Sequence, residues 1–276
     1  MTGMGGVAQS FGPFSVTRLI DGVFEAPVAD LRHLGGSGPL AAFTAGVAGS
    51  TLPMDVNCFL LRSAEGLTLV DAGCGSAWGA RYGHARAAMK EAGIDPGDID
   101  RVLITHLHGD HALGLIEGES AYFPRAEIII PARDFAFFTD EAQRAAVPAA
   151  RRGGFDVAAR VRRAYGDRIR LVGEGAVTEG IVLLPLPGHT PGQAGYRLGS
   201  GENALVIIGD ALHLAEAQAA DPDLGFIYDV DPVIAGDTRR RLLGEAAEQG
   251  WALAGGHLPG ILRARATEGR FVLTAV

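Results

Sequence analysis

Residues 105–111 read Thr-His-Leu-His-Gly-Asp-His, and they continue an apolar run from Arg101 to Thr105 that is typical of a short β-strand. Three imidazoles and a carboxylate this close together would repel and desolvate one another unless a positive ion lay between them. Residues two apart in an extended segment project to the same side, so His106, His108 and Asp110 can converge, and His111 follows as the chain turns. These are more ligands than one zinc ion with an open position uses, so the segment predicts two metal ions.

Three further segments with ligand-type side chains each follow an apolar run downstream. They are Pro187-Gly-His189-Thr-Pro-Gly192 after residues 181–185, Gly209-Asp210 after residues 204–208, and Gly255-Gly-His257 after residues 251–254. In α/β proteins, ligand-binding groups gather at one end of the sheet strands, so we expect these loops to meet in space.

Short apolar runs alternate with helical windows along the chain, which predicts an α/β fold. Predicted strands cover residues 16–20, 57–62, 67–70, 101–105, 126–130, 168–172, 181–185, 195–198, 204–208 and 251–254. Predicted helices cover residues 83–92, 132–140, 155–164 and 237–249, the last capped by Asp237 or Thr238. Two long segments rich in Gly, Ala and Pro, 28–53 and 215–231, are expected to be loops, at least one of which overhangs the site.

In chain order, the His-x-His-x-Asp-His run of 106–111, then Gly-His-Thr-Pro-Gly, Gly-Asp and Gly-His-Leu-Pro resemble the motifs of the metallo-β-lactamase superfamily, over about Asn57 to Pro259. The resemblance implies a four-layer αββα sandwich, in which helices flank two mixed sheets. It further implies a single domain over residues 1–276, in which we expect residues 1–15 to form a flexible N-terminal arm.

The resemblance also implies a complete dinuclear site. Its ligands would be His106, His108 and His189 for one ion, Asp110, His111 and His257 for the other, and Asp210 as the bridge. Asp71, in a Val-Asp-Ala-Gly motif, would lie behind the ligands and fix a histidine tautomer. Two divalent ions are expected, with zinc first and iron, manganese or cobalt as alternatives, because His and Asp sites accept all four.

Within the superfamily, Ile208-Gly-Asp-Ala-Leu-His213, with Asp229-Val-Asp-Pro232 downstream, is similar to the branch of methyl parathion hydrolase and quorum-quenching lactonases. This resemblance implies a hydrolase in which a hydroxide bridging the metals attacks a lactone, an ester or a phosphotriester. Asp110 and Asp210 are the predicted catalytic residues, and Asp110 would carry a proton to the leaving group. Gln193 stands where many relatives have a second histidine, a departure that bears on the substrate rather than on the metals.

Three residues are candidate substrate contacts. His213 lies three positions after Asp210, and Phe138 and Tyr228 would suit an apolar part of a substrate. The alternative to lactone or ester hydrolysis is a thioesterase like glyoxalase II or a persulfide dioxygenase, which share the order of ligands. The lack of an evident helical domain after His257 disfavours the glyoxalase option. A non-catalytic metal-binding domain is a further alternative, against which the retention of every ligand type argues.

The composition limits the partners. A hydrophobic share of 47% with 20% charged residues is typical of a globular protein, and a net charge of −8 disfavours nucleic acid as a substrate. The N-terminus does not resemble a secretory signal, and no apolar run reaches the roughly 18 residues of a membrane span. We therefore expect a cytoplasmic protein, a homodimer as one option, with a small-molecule substrate and no membrane partner. Cys58 is expected in the core, and Cys74 as a loop thiol near the site.

Overall fold

Two seven-stranded mixed sheets form the centre of the fold in residues 6–276, the part of the chain that this computed structural model describes. The strands are β1 (Gln9–Phe11), β2 (Phe14–Pro27), β3 (Leu31–His33), β4 (Thr51–Ser63), β5 (Gly66–Val70), β6 (Arg101–Leu103), β7 (Ile116–Glu117), β8 (Ser120–Ala121), β9 (Glu127–Pro131), β10 (Ile169–Val172), β11 (Gly175–Thr178), β12 (Ile181–Pro185), β13 (Ala194–Leu198), β14 (Leu205–Ile207), β15 (Leu224–Phe226), β16 (Ala252–Ala254), β17 (Leu262–Thr267) and β18 (Arg270–Ala275). The helices are α1 (Ser37–Thr44), α2 (His84–Glu91), α3 (Gly109–Ala112), α4 (Ala132–Phe138), α5 (Glu141–Ala146), α6 (Gly153–Tyr165), α7 (Ala215–Ala220) and α8 (Pro232–Gln249). One sheet has the order β1-β2-β4-β5-β6-β9-β10, and the other β11-β12-β13-β14-β16-β17-β18.

The sheets pack face to face because successive side chains of a strand point to opposite faces. In β6, Leu103 packs between the sheets with Tyr196 and Ile207 of the second sheet. Val102, its neighbour, faces outward into the cluster that contains residues of α2 and α6. The outer face of the second sheet is covered in the same way by α8. This arrangement confirms the predicted αββα sandwich.

The strand directions bring the predicted ligand loops to one end of the sandwich. β5, β6 and β9 run parallel in the first sheet, and β14 and β16 run parallel in the second. The loops that follow the carboxyl ends of β5, β6, β14 and β16 carry Asp71, the 106–111 segment, Asp210 and His257. Loops at the carboxyl ends of parallel strands share one edge of a sheet, which is why residues far apart in sequence meet there.

The two segments expected as loops contain regular structure. β3 and α1 lie within residues 28–53, and α7 and β15 lie within residues 215–231. β3 pairs antiparallel with β15, so that His33 lies opposite Leu224. The prediction that these segments are irregular was therefore wrong, because each supplies the strand that the other needs.

The prediction of a flexible arm over residues 1–15 is wrong for residues 9–15, which form β1 and the start of β2. β1 pairs with the start of β2, and both Phe11 and Phe14 are buried between the two sheets. Burial of two phenylalanine rings there favours a paired hairpin over a free arm. Residues 1–5 lie outside the described residues.

The ends of several other elements differ from the prediction. α8 begins at Pro232 rather than near Asp237, because Asp231 caps it by accepting hydrogen bonds from the backbone of Val233 and Ile234. The strands β17 and β18 were not predicted.

Both cysteines, Cys58 and Cys74, are buried and free. Cys74 lies in a loop as expected, but its thiol is buried. Across residues 6–276, no helix combines the length and the apolar character needed to cross a membrane.

Candidate metal centre

The first group of ligand atoms forms where the segment after β6 meets the loop after β12. His106, His108 and His189 bring their ring nitrogens together, with Nδ1 of His108 3.1 Å from Nε2 of His106 and 2.9 Å from Nε2 of His189. His106 and His189 are buried, and His108 is half-buried. Three imidazole nitrogens at this spacing match one face of a tetrahedral metal site.

The second group lies beside the first and contains two carboxylates. Asp110, His111, Asp210 and His257 can each direct one ligand atom to a common point. Nε2 of His257 lies 3.4 Å from Asp110 Oδ2 and 3.2 Å from Asp210 Oδ2. Mixed nitrogen and oxygen donors of this kind bind zinc and the other first-row divalent ions.

Asp210 stands between the two groups. Its Oδ2 lies 3.4 Å from Nε2 of His189 and 3.8 Å from Nε2 of His106, while its Oδ1 lies 3.1 Å from Nε2 of His111. A carboxylate in this position could contact an ion in each of the two groups.

The chemistry of His111 tests whether a metal ion fits. Its Nδ1 lies 2.8 Å from Asp71 Oδ2, a carboxylate oxygen that only accepts, so Nδ1 carries the proton of the neutral ring. Nε2 then presents a lone pair to Asp210 Oδ1, and both of these buried atoms lack a hydrogen-bond partner. Two acceptors facing each other in the interior need a positive charge between them, and a divalent ion supplies it.

The pKa values of His106 and His108 in the first group are lowered, whereas those of His111 and His257 in the second group are raised. Burial lowers the pKa of His108 to about 3, and burial together with the neighbouring His111 lowers that of His106, so both rings are neutral and free to bind metal. Burial would also lower the pKa values of His111 and His257, but the Asp210 and Asp110 carboxylates outweigh it and raise both. The carboxylates of the second group thus favour positive charge at His111 and His257, which a bound metal ion would supply.

Backbone and side-chain contacts fix the orientation of the second group. Nδ1 of His257 lies 2.7 Å from the carbonyl oxygen of Asp55 and donates to it, which leaves Nε2 for a metal. Asn57 of β4 holds the same loop through bonds to the carbonyls of Gly255 and Leu258. Asp71 adopts φ of 57°, the one positive φ of a non-glycine residue in 6–276, and so stores strain at the site.

Two supporting carboxylates were not predicted from the sequence. Asp229 lies 3.1 Å from Nδ1 of His189, and only its place in the Asp-Val-Asp-Pro motif could have drawn attention to it. Asp134 on α4 accepts from the backbone of Leu107 and from the hydroxyl of Thr190, so that it joins the two loops of the first ligand group. Burial raises the pKa of Asp134 to about 6.

The candidate substrate contacts occupy different positions. His213 is buried inside the site, with Nε2 3.4 Å from Asp210 Oδ2 and its ring stacked on that of His257. Phe138 lies behind the ligands, with its ring 5.7 Å from that of His108 and 4% of its surface exposed. Tyr228 is half-buried and its hydroxyl donates to Asp30.

Gln193, the departure from the usual motif, contacts the backbone of Asp210. Its side chain accepts from the backbone N–H of Asp210 and donates to the carbonyl of Leu186. A side chain occupied in this way positions Asp210 and does not face a substrate.

Comparison with known proteins agrees with this geometry. The sequence pattern of the metallo-beta-lactamase superfamily matches residues 51–257, well over half of the chain and the whole of both ligand groups. The chain belongs to this superfamily. No curated protein matches it significantly.

Solved structures resemble this metallo-beta-lactamase chain over nearly its full length. The hydrolase AbOPH of the beta-lactamase superfamily is 26% identical, with a TM-score of 0.86 over 99% of this chain and 97% of the other. AidC, described as a dizinc quorum-quenching lactonase, is 21% identical, with a TM-score of 0.85 over 99% and 98%. AiiA of B. thuringiensis is 18% identical, with a TM-score of 0.65 over 90% and 94%. These likenesses confirm the metallo-beta-lactamase fold.

Proposed function

We propose that this chain is a dinuclear metal-dependent hydrolase whose substrate is a lactone, or a related neutral ester, that carries an apolar group. The observation that carries the proposal is the position of Asp210, whose two oxygens reach histidines of separate ligand groups. A bridge between two ions is the feature that hydrolytic dinuclear sites share.

Two divalent ions held by these residues would lower the pKa of water toward about 7 and polarise the oxygen on which negative charge develops. Asp210 would hold both ions in register. Asp110 is the most exposed carboxylate of the centre, with 14% of its side chain accessible against 3% for Asp210. It is therefore the group best placed to take a proton from the attacking water and give it to the leaving oxygen.

An apolar cluster borders the metal centre and supports a substrate with an apolar group. The ring of Phe226 lies 5.4 Å from that of His213, and Tyr228 stacks on Phe226. Phe24 and Leu52, only partly buried, pack against the same cluster. Half-buried apolar side chains beside a charged centre suit an acyl chain next to a hydrolysable carbonyl.

The named relatives suggest which lactone to test first. AidC is described in complex with the product N-hexanoyl-L-homoserine, and AiiA with N-decanoyl-L-homoserine. Both are products of N-acyl homoserine lactone hydrolysis, in which a carbonyl lies next to an acyl chain. We therefore place N-acyl homoserine lactones first among the substrates.

The experiment is a hydrolysis panel on protein loaded with zinc, manganese, cobalt or iron. It compares N-acyl homoserine lactones of short and long chain, aryl esters, phosphotriesters, β-lactams and a glutathione thioester. We expect the highest kcat/KM on a lactone or aryl ester, and loss of activity on chelation and in Asp210→Asn. A preference for the thioester, or oxygen consumption with a persulfide, would assign the chain to the thioesterase or dioxygenase alternative. No turnover by protein that carries two ions would contradict hydrolysis.

A further inference from the structure

His189 is supported by a buried ion pair that reaches it from α8. Its Nδ1 lies 3.1 Å from Oδ1 of Asp229, and the other oxygen of Asp229 lies 3.3 Å from Nη1 of Arg239. Arg239 is 1% exposed, and its Nε donates to the carbonyl of Pro222 at 2.8 Å. Burying an arginine costs free energy unless its charge and N–H groups are paired. Asp229 and the carbonyl of Pro222 supply these partners.

Gly225 packs closely against the Asp229–Arg239 pair. A Cβ on Gly225 would lie 2.8 Å from Asp229 Oδ2 and 3.2 Å from Nη2 of Arg239. On the other side of the loop, the backbone of Val230 donates to the carbonyl of His189 at 3.0 Å. The segment that contains Asp229 is thus joined to the segment that contains His189 by a backbone hydrogen bond and by a side-chain hydrogen bond.

The orientation of the imidazole follows from these contacts. A carboxylate oxygen only accepts, so Nδ1 of His189 carries the ring proton and donates a hydrogen bond to Asp229. Nε2 then presents its lone pair to the His106 and His108 side of the centre. A second tautomer would put a lone pair against the carboxylate. Arg239 balances the charge of Asp229, since its Nη1 lies 3.3 Å from Asp229 Oδ2 and both side chains are buried.

The two ligand groups differ in this support. His111 of the second group also rests on a carboxylate, Asp71, but the other partner of Asp71 is the neutral residue Thr105. Asp229 is instead neutralised by a cation. The first group therefore contains three imidazoles, and the carboxylate behind it, Asp229, is paired with an arginine. The second group contains a carboxylate of its own, Asp110, and the carboxylate behind it, Asp71, has no cationic partner.

We propose that Asp229 and Arg239 are positioning residues that fix His189 and set the metal affinity of the His106, His108 and His189 site separately from that of the Asp110, His111 and His257 site. This inference rests on the proposed metal centre but not on the proposed substrate. It adds an element, α8, to the parts of the fold that control metal binding.

The test is a cobalt titration of metal-free protein, full chain, read by the visible absorption of each cobalt ion and by a competing chelator that gives two affinities. Asp229→Ala should lower the affinity for one of the two ions by about 10- to 100-fold and leave the other unchanged. Asp229→Asn keeps an acceptor for the Nδ1 proton and should lose less. Asp71→Asn should lower the affinity for the other ion, the one in the Asp110, His111 and His257 site, and should change the cobalt absorption spectrum differently.

Arg239→Met should weaken binding of the same ion as Asp229→Ala. Arg240→Met is its matched control, since Arg240 is the next residue of α8, is exposed, and pairs with Asp223 and Asp237 on the surface. It should leave both affinities unchanged. If Asp229→Ala does not fold, the nearly isosteric Asp229→Asn decides the question, with thermal unfolding recorded beside it. Equal weakening of both ions, or none, in a folded Asp229 variant would overturn the inference. A wild-type chain that binds fewer than two ions would instead overturn the proposed function.

Discussion

Asp210 lies within 4 Å of histidines from both ligand groups, and its side chain is almost fully buried. Burial alone would raise the pKa of this carboxyl, but the surrounding histidines, His111 and His257 first, hold it well below its usual value. The residue therefore keeps its charge in the interior, which it can do only where positive groups or metal ions surround it.

Replacing this residue tests its bridging role directly. In Asp210→Asn, the neutral amide should lower kcat on the preferred substrate by on the order of 100-fold and reduce the bound metal below two ions per chain. The measurements are steady-state kinetics and elemental analysis of the same sample. Asp237→Asn, a surface change on α8, is the control. Near-normal turnover by an Asp210→Asn protein that holds two ions would contradict the assignment.

Asp134 predicts a pH dependence of stability. Burial raises its pKa to about 6 from the ordinary value of 3.8, so the folded state holds the proton more tightly than the unfolded state. Its contribution to stability is therefore full below pH 4 and is lost as the pH rises through 6. Relative to Asp134→Asn, the unfolding free energy of the metal-free wild type should fall by about 3 kcal/mol between pH 4 and 7.

Urea unfolding of both metal-free proteins at several pH values measures this difference. The histidines titrate in both proteins, so their effect cancels in the comparison. A difference that stays constant from pH 4 to 7 would show that Asp134 does not titrate as inferred.

The start of α8 decides where Arg239 lies. Asp231 caps the helix and Pro232 occupies its first turn, whereas Asp237 lies inside the helix on the surface. Asp231→Ala should destabilise the protein by about 1 kcal/mol, and Asp237→Ala by less than about 0.5 kcal/mol. Denaturant unfolding measures the free energy of unfolding of both variants. Equal losses would contradict the assignment of Asp231 as the N-cap of α8.

The close approach of α4 to the His189 loop is a second feature at this scale. A Cβ on Gly192 would lie 2.0 Å from the backbone nitrogen of Asp134, which cannot move without shifting the helix. Gly192→Ala should therefore cost at least about 2 kcal/mol and lower the affinity of the neighbouring metal site. Gly260→Ala, whose Cβ would meet no atom within 4 Å, should be close to neutral. A stable Gly192→Ala protein with full metal content would show that the loop has room to adjust.

The candidate metal centre joins loops from both sheets, so bound metal ions should stabilise the whole fold. Asp71, the 106–111 segment, His189, Asp210 and His257 come from five separate loops. At free metal about 1,000-fold above Kd, each ion contributes about 4 kcal/mol. Chelation should therefore lower the Tm by about 10 °C or more, and added metal should restore it. A Tm that chelation leaves unchanged would mean that the centre forms without metal.

The clustering of the candidate ligands could be predicted from the sequence because each follows an apolar run and four of them lie within six residues, 106–111. Local sequence patterns also predicted just over half of the strands and half of the helices in residues 6–276, since such patterns depend only on near neighbours. Phe11 and Phe14 at the N-terminus were misread as an arm because their burial depends on the second sheet, far along the chain.

Only the tertiary structure revealed how the ligands are held. Asp229 is 40 residues from His189, and Asp134 lies 27 residues from Leu107 and 56 from Thr190. In the sequence, an isolated Asp or Arg is typical of a solvated surface. Its charge acquires a structural role only when folding removes water and places one partner beside it, and that depends on which strands the chain brings together. The site's chemistry is thus encoded locally, whereas its support is decided by contacts between distant segments.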